Sequence, residues 1–361
     1  MARKKTVAHG MAMRATILIV IALKEENKYF HELISDHVKS DKAAGRDPKW
    51  IEVPPSVHER YKCIYKADTG HVRIVVHTLE AMGNIEATLG TTAGIATVQP
   101  DLVILVGLAG SLRPDEVQLG DVVVSTQAKL YTSDKVADSR AILKDGKAKY
   151  RFDTDTEDTG RYVVDSRDKF MDQSFFRYER RFVESAGTRM IVADGESALS
   201  ASMAAMERVA ETSVPQSYRQ EFKARSVPKL HCGWLLANSQ VVDSAEFRDY
   251  LVAKDGDRDF DLHRQTGEID RIAWKEGRIL AVDMESYGVL RAVETLRSKQ
   301  PSEGGVKNLL GGIVVRGISD LCEVKGNTDD GGQTRLIAVR NASKVALGII
   351  ESIDYGELSR R

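Results

Sequence analysis

Seven short stretches of the chain are rich in Val, Ile, Leu and Ala. They are residues 16–23 (TILIVIAL), 72–79 (VRIVVHTL), 101–109 (DLVILVGLA), 120–131 (GDVVVSTQAKLY), 230–238 (LHCGWLLAN), 278–284 (RILAVDM) and 311–320 (GGIVVRGISD). Their apolar positions run on continuously instead of alternating, which predicts strands covered on both faces. Between several of them the spacing turns helical. In 83–100, Ile85, Leu89, Ile95 and Val98 fall near helical spacing and Pro100 closes the segment. Residues 285–298 carry Tyr287, Leu290, Val293 and Leu296, and 335–353 predict a last helix. This alternation predicts an α/β fold: a mainly parallel (mixed) central sheet with helices on both faces.

Two regions break the rhythm. Residues 36–60 are polar and hold Pro48, Pro54 and Pro55, so they read as a loop excursion. Residues 132–229 read as a large insertion packed on the main sheet, with an amphipathic helix at 195–212. Within it DTDTEDTG (153–160) has calcium-loop spacing but lacks the turn glycine and the distal glutamate, so a solvated acidic loop is expected and no metal. Residues 1–13 are expected to be a disordered leader and 14–361 a single domain.

Composition narrows the function classes. The 361 residues carry a formal net charge of −1, and no recognisable nucleic-acid module is present, so neither nucleic acid nor an anionic membrane is an expected partner. The run Ile17–Leu23 follows basic residues as in a signal peptide, yet it ends in Lys24-Glu25-Glu26 and not at a small-residue cleavage site. No run approaches the ~18–20 apolar residues of a spanning helix. Cys63, Cys232 and Cys322 are scattered and form no CxxC pair, which argues against zinc or a disulfide framework and fits a cytoplasmic location.

The chemistry-bearing residues sit where strands end, the place at which open α/β sheets collect ligands. ALKEEN follows the first strand, VGLAGSL the third, AVDMES the sixth and VVRGISD the last. Singly each is weak: Glu25 and Glu26 suit any helix N-terminus, as do Asp283 and Glu285, and Asp320 suits an N-cap. In this order they resemble the nucleoside phosphorylase and nucleosidase superfamily, and more closely its hydrolytic methylthioadenosine/S-adenosylhomocysteine nucleosidases. The resemblance runs through 16–131, 230–251 and 278–350. It is carried by PDLVILVGLAGSLRPDEVQLGDVVVSTQA, GWLLANSQVVDSAEFRDYL, AVDMESYGV and VVRGISD, and leaves the insertion unmatched.

The resemblance implies roles. Breaking a ribose–purine bond builds positive charge on the sugar and negative charge on the base. Asp320, oriented by Ser319, matches the general acid that protonates the purine, a task that needs a carboxyl group whose pKa is raised by burial. Glu26 matches the carboxylate that activates water, with Glu25 as the one-register alternative. Glu285 would accept the ribose hydroxyls and Met284 would pack beside the sugar. Asp283 stands where the family usually has glutamate, so its contact with the sugar is lost or bridged by water. Ala109 and Gly110 belong to the glycine turn. Val241 and Val242 match positions flanking the purine, or are ordinary core. Arg316 either touches the sugar side or anchors a carboxylate inside the fold.

Departures from the phosphorylases favour water as the nucleophile. The first loop carries carboxylates that would repel phosphate, and DLVILVG supplies no arginine. The expected reaction is hydrolysis of the N-glycosidic bond of an adenine nucleoside or nucleotide, with no cofactor and with a homodimer or higher homo-oligomer as the assembly. Alternatives are an AMP or ATP nucleosidase of antiviral defence, with Arg177, Arg180 and Arg181 of the insertion holding a 5′-phosphate chain, a phosphorolytic enzyme, and a non-catalytic nucleoside sensor.

Overall fold

The computed structural model describes residues 13–53, 61–133 except 69, 228–237, 241–243, 279–298, 311–323 and 332–353, isolated positions beside them, and the strand backbones at 143–144, 147–148, 161–162 and 178–187. The element order is β1 (Met13–Ile21), α1 (Lys24–Ala43), β2 (Trp50–Val53), β3 (Tyr61–Ala67), β4 (Gly70–Thr78), α2 (Asn84–Val98), β5 (Leu102–Ser111), β6 (Val122–Ser125) and β7 (Gln127–Ser133). Short strands β8 (Leu143–Lys144), β9 (Lys147–Ala148) and β10 (Arg161–Tyr162) precede β11 (Tyr178–Gly187). Then come β12 (Leu230–Cys232), β13 (Trp234–Ala237), β14 (Ile279–Asp283), α3 (Ser286–Ser298), β15 (Gly311–Asp320) and α4 (Gln333–Ser352).

The mixed α/β architecture follows from how the apolar runs face. In β1, Ile17, Ile19 and Ile21 point to one side, where Phe30 and Ile34 of α1 and Ala342, Val345 and Ile349 of α4 complete a core. Leu18 and Val20 point to the other, against Ala87, Ile95 and Val98 of α2 and Val289, Leu290 and Val293 of α3. A strand buried on both faces has no polar side to alternate with, which is why its sequence is continuously apolar.

Strand β5 is the hub. β1 pairs parallel with its first half, from Ile17↔Leu102 to Ile21↔Val106. β15 runs parallel along its other edge, from Gly311↔Leu102 to Asp320↔Gly110. β14 meets its far end antiparallel, at Val282↔Gly110. The carboxyl ends of β1, β5, β14 and β15 therefore converge on one crevice. Gly317 lets α4 approach β15, because a Cβ there would overlap the carbonyl oxygen of Ala338.

Several expectations are corrected. Residues 36–60 are not one loop: α1 continues to Ala43 and β2 begins at Trp50. Trp50 is buried against Tyr65 and donates to Glu351, so a lone aromatic in a polar stretch anchors an edge strand. The run 120–131 is two strands, broken at Thr126, where the Ser125 hydroxyl donates to the Gln127 carbonyl and accepts from its N–H. The run 230–238 is likewise broken at Gly233. In α2, Ile95 and Val98 are buried, but Ile85 and Leu89 are 74% and 60% exposed, because small residues, Ala87, Thr91 and Gly94, form the face against the sheet.

The leader expected at 1–13 lies outside the described residues up to 12, and Met13 opens β1. The acidic run 153–160 and the helix expected at 195–212 also lie outside them. In the segment 132–229, expected as an insertion, β11 pairs antiparallel with β7, from Arg180↔Ser133 to Gly187↔Gln127. Among the described residues no helix is long and apolar enough to cross a membrane.

The close approach at Gly317 is testable. Gly317→Ala is expected to lower stability by about 1–3 kcal/mol, read as a lower urea midpoint. Adding Ala338→Gly is expected not to restore it, because the obstacle is a main-chain oxygen.

Candidate active site

The crevice beyond these strand ends holds a cavity of about 470 Å³. Glu26, Ala109, Gly110, Val241, Val242, Asp283, Met284, Glu285, Ser319 and Asp320 all line it, so ten of the residues singled out in the sequence meet in one place. Arg316 stands behind this wall, fully buried. Arg177 lies outside the described residues, and Arg180 and Arg181 lie on the backbone of β11.

Each carboxylate is placed by the start of a helix or the end of a strand. Glu26 is the third residue of α1, and its Oε2 accepts the N–H of Leu23 at 3.2 Å. Its side chain turns inward while Glu25 is exposed. Asp283 closes β14 and caps α3: it accepts the Ser286 N–H at 3.1 Å and the Ser286 hydroxyl at 2.6 Å. Glu285 accepts the Gly83 N–H at 3.2 Å, which ties the start of α2 to the site. Asp320 ends β15, half-buried, and accepts the Cys322 N–H at 3.1 Å and the Ser319 hydroxyl at 3.2 Å. Cys322 takes a left-handed backbone, φ 53°, to make that turn. Arg248 steadies it by donating to the Leu321 carbonyl at 2.9 Å.

A family model described as the phosphorylase superfamily matches residues 16–351. The chain belongs to the phosphorylase superfamily. A stretch of 63 residues is 38% identical to the 5′-methylthioadenosine/S-adenosylhomocysteine nucleosidase of Staphylococcus carnosus (strain TM300), covering 18% of this chain and 27% of that protein. The match thus spans about a quarter of that relative's length. A solved 5′-methylthioadenosine/S-adenosylhomocysteine nucleosidase from Colwellia psychrerythraea 34H, in complex with adenine, has the same fold. It shares 13% identity at a TM-score of 0.50, over 94% of this chain and 96% of that one. The futalosine hydrolase of Helicobacter pylori strain 26695 aligns at a TM-score of 0.47 with 17% identity, over 93% of this chain and 97% of that one.

In this superfamily member the site's electrostatics centre on Arg316. Its Nε donates to Asp283 at 2.6 Å and its Nη2 to Glu285 at 2.9 Å. Its Nη1 and Glu26 Oε2 both lie against Gly107, where a Cβ would overlap Nη1 and come within 3.2 Å of Oε2. One guanidinium thus serves three buried carboxyl groups. Burial is the largest influence on Glu26 and drives its pKa from 4.5 up to about 7; Arg316, the Leu23 N–H and Arg335 pull it down, and Glu285 pushes it up. Burial also raises Glu285, against the pull of Arg316.

Sequence reasoning missed several lining residues. Arg335, exposed in the first turn of α4, faces the cavity beside Glu26; in the sequence it is one more basic residue opening a helix. Met82 comes from a connection with no motif, and Leu23 lies in ALKEEN but was not singled out. Met82 and Val241, 51% and 57% exposed, give the cavity an apolar margin. Among the described residues no group of His, Cys, Asp and Glu is arranged to hold a metal.

The buried Glu26 makes stability depend on pH. Its folded pKa of about 7 lies above the reference 4.5, so between those values the folded state keeps a proton that the unfolded chain has lost. Stability from this group is present at low pH and lost as pH rises toward 7. Glu26→Gln is expected to gain on the wild type through that window and level off above it, by at most ~3 kcal/mol. Denaturation curves across pH check this; a constant difference would contradict it.

Proposed function

We propose that the protein hydrolyses the N-glycosidic bond of an adenine nucleoside or nucleotide and releases free adenine. The observation that carries this reading is that Glu26, in the first turn of α1 after β1, and Asp320, at the end of β15, line the same cavity as the Met284-Glu285 pair, β1 and β15 both pairing with β5. Glu26 takes a proton from water, and the water oxygen bonds to C1′ of the sugar. The C1′–N9 bond breaks with its electron pair going to the purine, and Asp320 delivers a proton to N7. Glu285 holds the ribose hydroxyls and Met284 covers the sugar face. The name of the Staphylococcus carnosus relative, a nucleosidase, supports the reaction class.

A carboxyl group with a pKa of about 7 suits a base working near neutrality. Water is favoured over phosphate because the described cavity wall presents the carboxyl groups of Glu26, Glu285 and Asp320 to an incoming anion. Arg335 favours a second reading, in which the substrate carries a 5′-phosphate. It is a cation at the cavity wall whose guanidinium suits phosphate oxygens.

Chromatography of products from adenosine, methylthioadenosine, S-adenosylhomocysteine, AMP and ATP, with and without phosphate, tests both readings. Adenine and a free sugar, independent of phosphate, are expected; ribose 1-phosphate formed only with added phosphate would overturn hydrolysis. Glu26→Gln and Asp320→Asn are each expected to lower kcat by about 10²–10⁴-fold. Arg335→Ala is expected to lower kcat/KM at least tenfold on AMP while sparing adenosine, if the second reading holds; equal effects on both substrates would count against it.

A further inference from the structure

We infer that Asp283 is a positioning residue for the proposed reaction: it grips Arg316 and thereby sets how much of that guanidinium's charge reaches Glu26. The inference rests on the reading of Glu26 as the base, and it gives Asp283 a role other than the sugar contact, lost or bridged by water, that the resemblance implies. Both Asp283 oxygens are engaged inside the protein, by the Ser286 N–H and hydroxyl and by Arg316 Nε. The side chain is 1% exposed. It holds the Nε edge and also touches Nη2, which it shares with Glu285, while Nη1 lies against Gly107, where Glu26 also rests.

The charge count gives the consequence. The groups acting on Glu26 are Arg316 from β15, Glu285 at the start of α3, Arg335 from α4 and the Leu23 N–H. Asp283 acts through the first of these. With Asp283 ionised, Arg316 is shared among three carboxyl groups and Glu26 holds its proton to near neutrality. With a neutral residue there, more of the positive charge falls to Glu285 and Glu26, and Glu26 gives up its proton at lower pH.

The test is Asp283→Asn, read two ways. Carboxyl ¹³C NMR of glutamate-labelled protein, with Glu26 assigned by its loss in Glu26→Gln, follows the titration without turnover. The pH profile of kcat/KM for adenine release follows it in the reaction. The Glu26 titration and the acidic limb are both expected to move down by about half a unit or more. kcat is expected to fall equally on adenosine and 2′-deoxyadenosine. An unmoved or raised Glu26 titration overturns the inference, as does a penalty confined to the ribonucleoside, which would put Asp283 on the sugar. Ser286→Ala removes the hydroxyl hydrogen bond to Asp283 and keeps the charge, so it should lower stability and leave the limb in place. Should Asp283→Asn fail to fold, Asp283→Glu decides: the charge is kept, so the titration should stay near the wild-type value, and a shift overturns the inference. If no nucleoside releases base from the wild type, the functional reading fails, and the NMR titration still decides the coupling.

Discussion

The site is organised around a charge that has no contact with water. Arg316 is wholly buried, and an isolated guanidinium there would be too costly to keep. It is tolerated because Asp283 and Glu285 accept its hydrogen bonds and Glu26 lies beside it. Those three carboxyl groups come from β14, the turn before α3, and the first turn of α1. One side chain of β15 therefore fixes how three separate segments of the chain meet. The excess of acid over base also leaves the cluster with a proton to lose near neutrality, which is a chemical capability and not only a structural one.

The sheet makes that meeting possible. β5 takes different partners along its length: β1 pairs with its first half, β14 with its end, and β15 with nearly all of it. The exchange of β1 for β14 opens the crevice. Gly107 and Gly110 sit at that exchange, where added Cβ atoms would meet Arg316 and Asp320. Loss of a side chain in the hub strand is thus what admits the charged groups of its neighbours.

The residues that line the cavity differ in exposure. Asp320, Ala109, Gly110 and Val242 are half-buried or buried, whereas Met82, Val241 and Arg335 are exposed and mix apolar surface with one cation. The reaction class and the substrate's distal group are therefore separate questions for this chain, carried by different residues. Superfamily membership bears on the first, and the exposed residues bear on the second.

Fold class and most of the site were legible in the sequence because both are written in local patterns. A strand covered on both faces must be apolar throughout, and carboxylates at strand ends fall just beyond such runs; the resemblance to the superfamily then singled out Glu26, Asp283, Glu285 and Asp320 without coordinates. The helical α1 beyond residue 36 was not legible, because its buried residues are few and the prolines that follow it suggested a loop. Nor was the exposure of Ile85 and Leu89, since a period places residues on a face without saying which face the sheet will choose. Arg335 carried no signal, being one arginine at one helix start. Only the tertiary structure decided that Arg316 would be an anchor between carboxylates: ion pairing depends on distances between β14, β15 and α1, and spacing along the chain does not encode them.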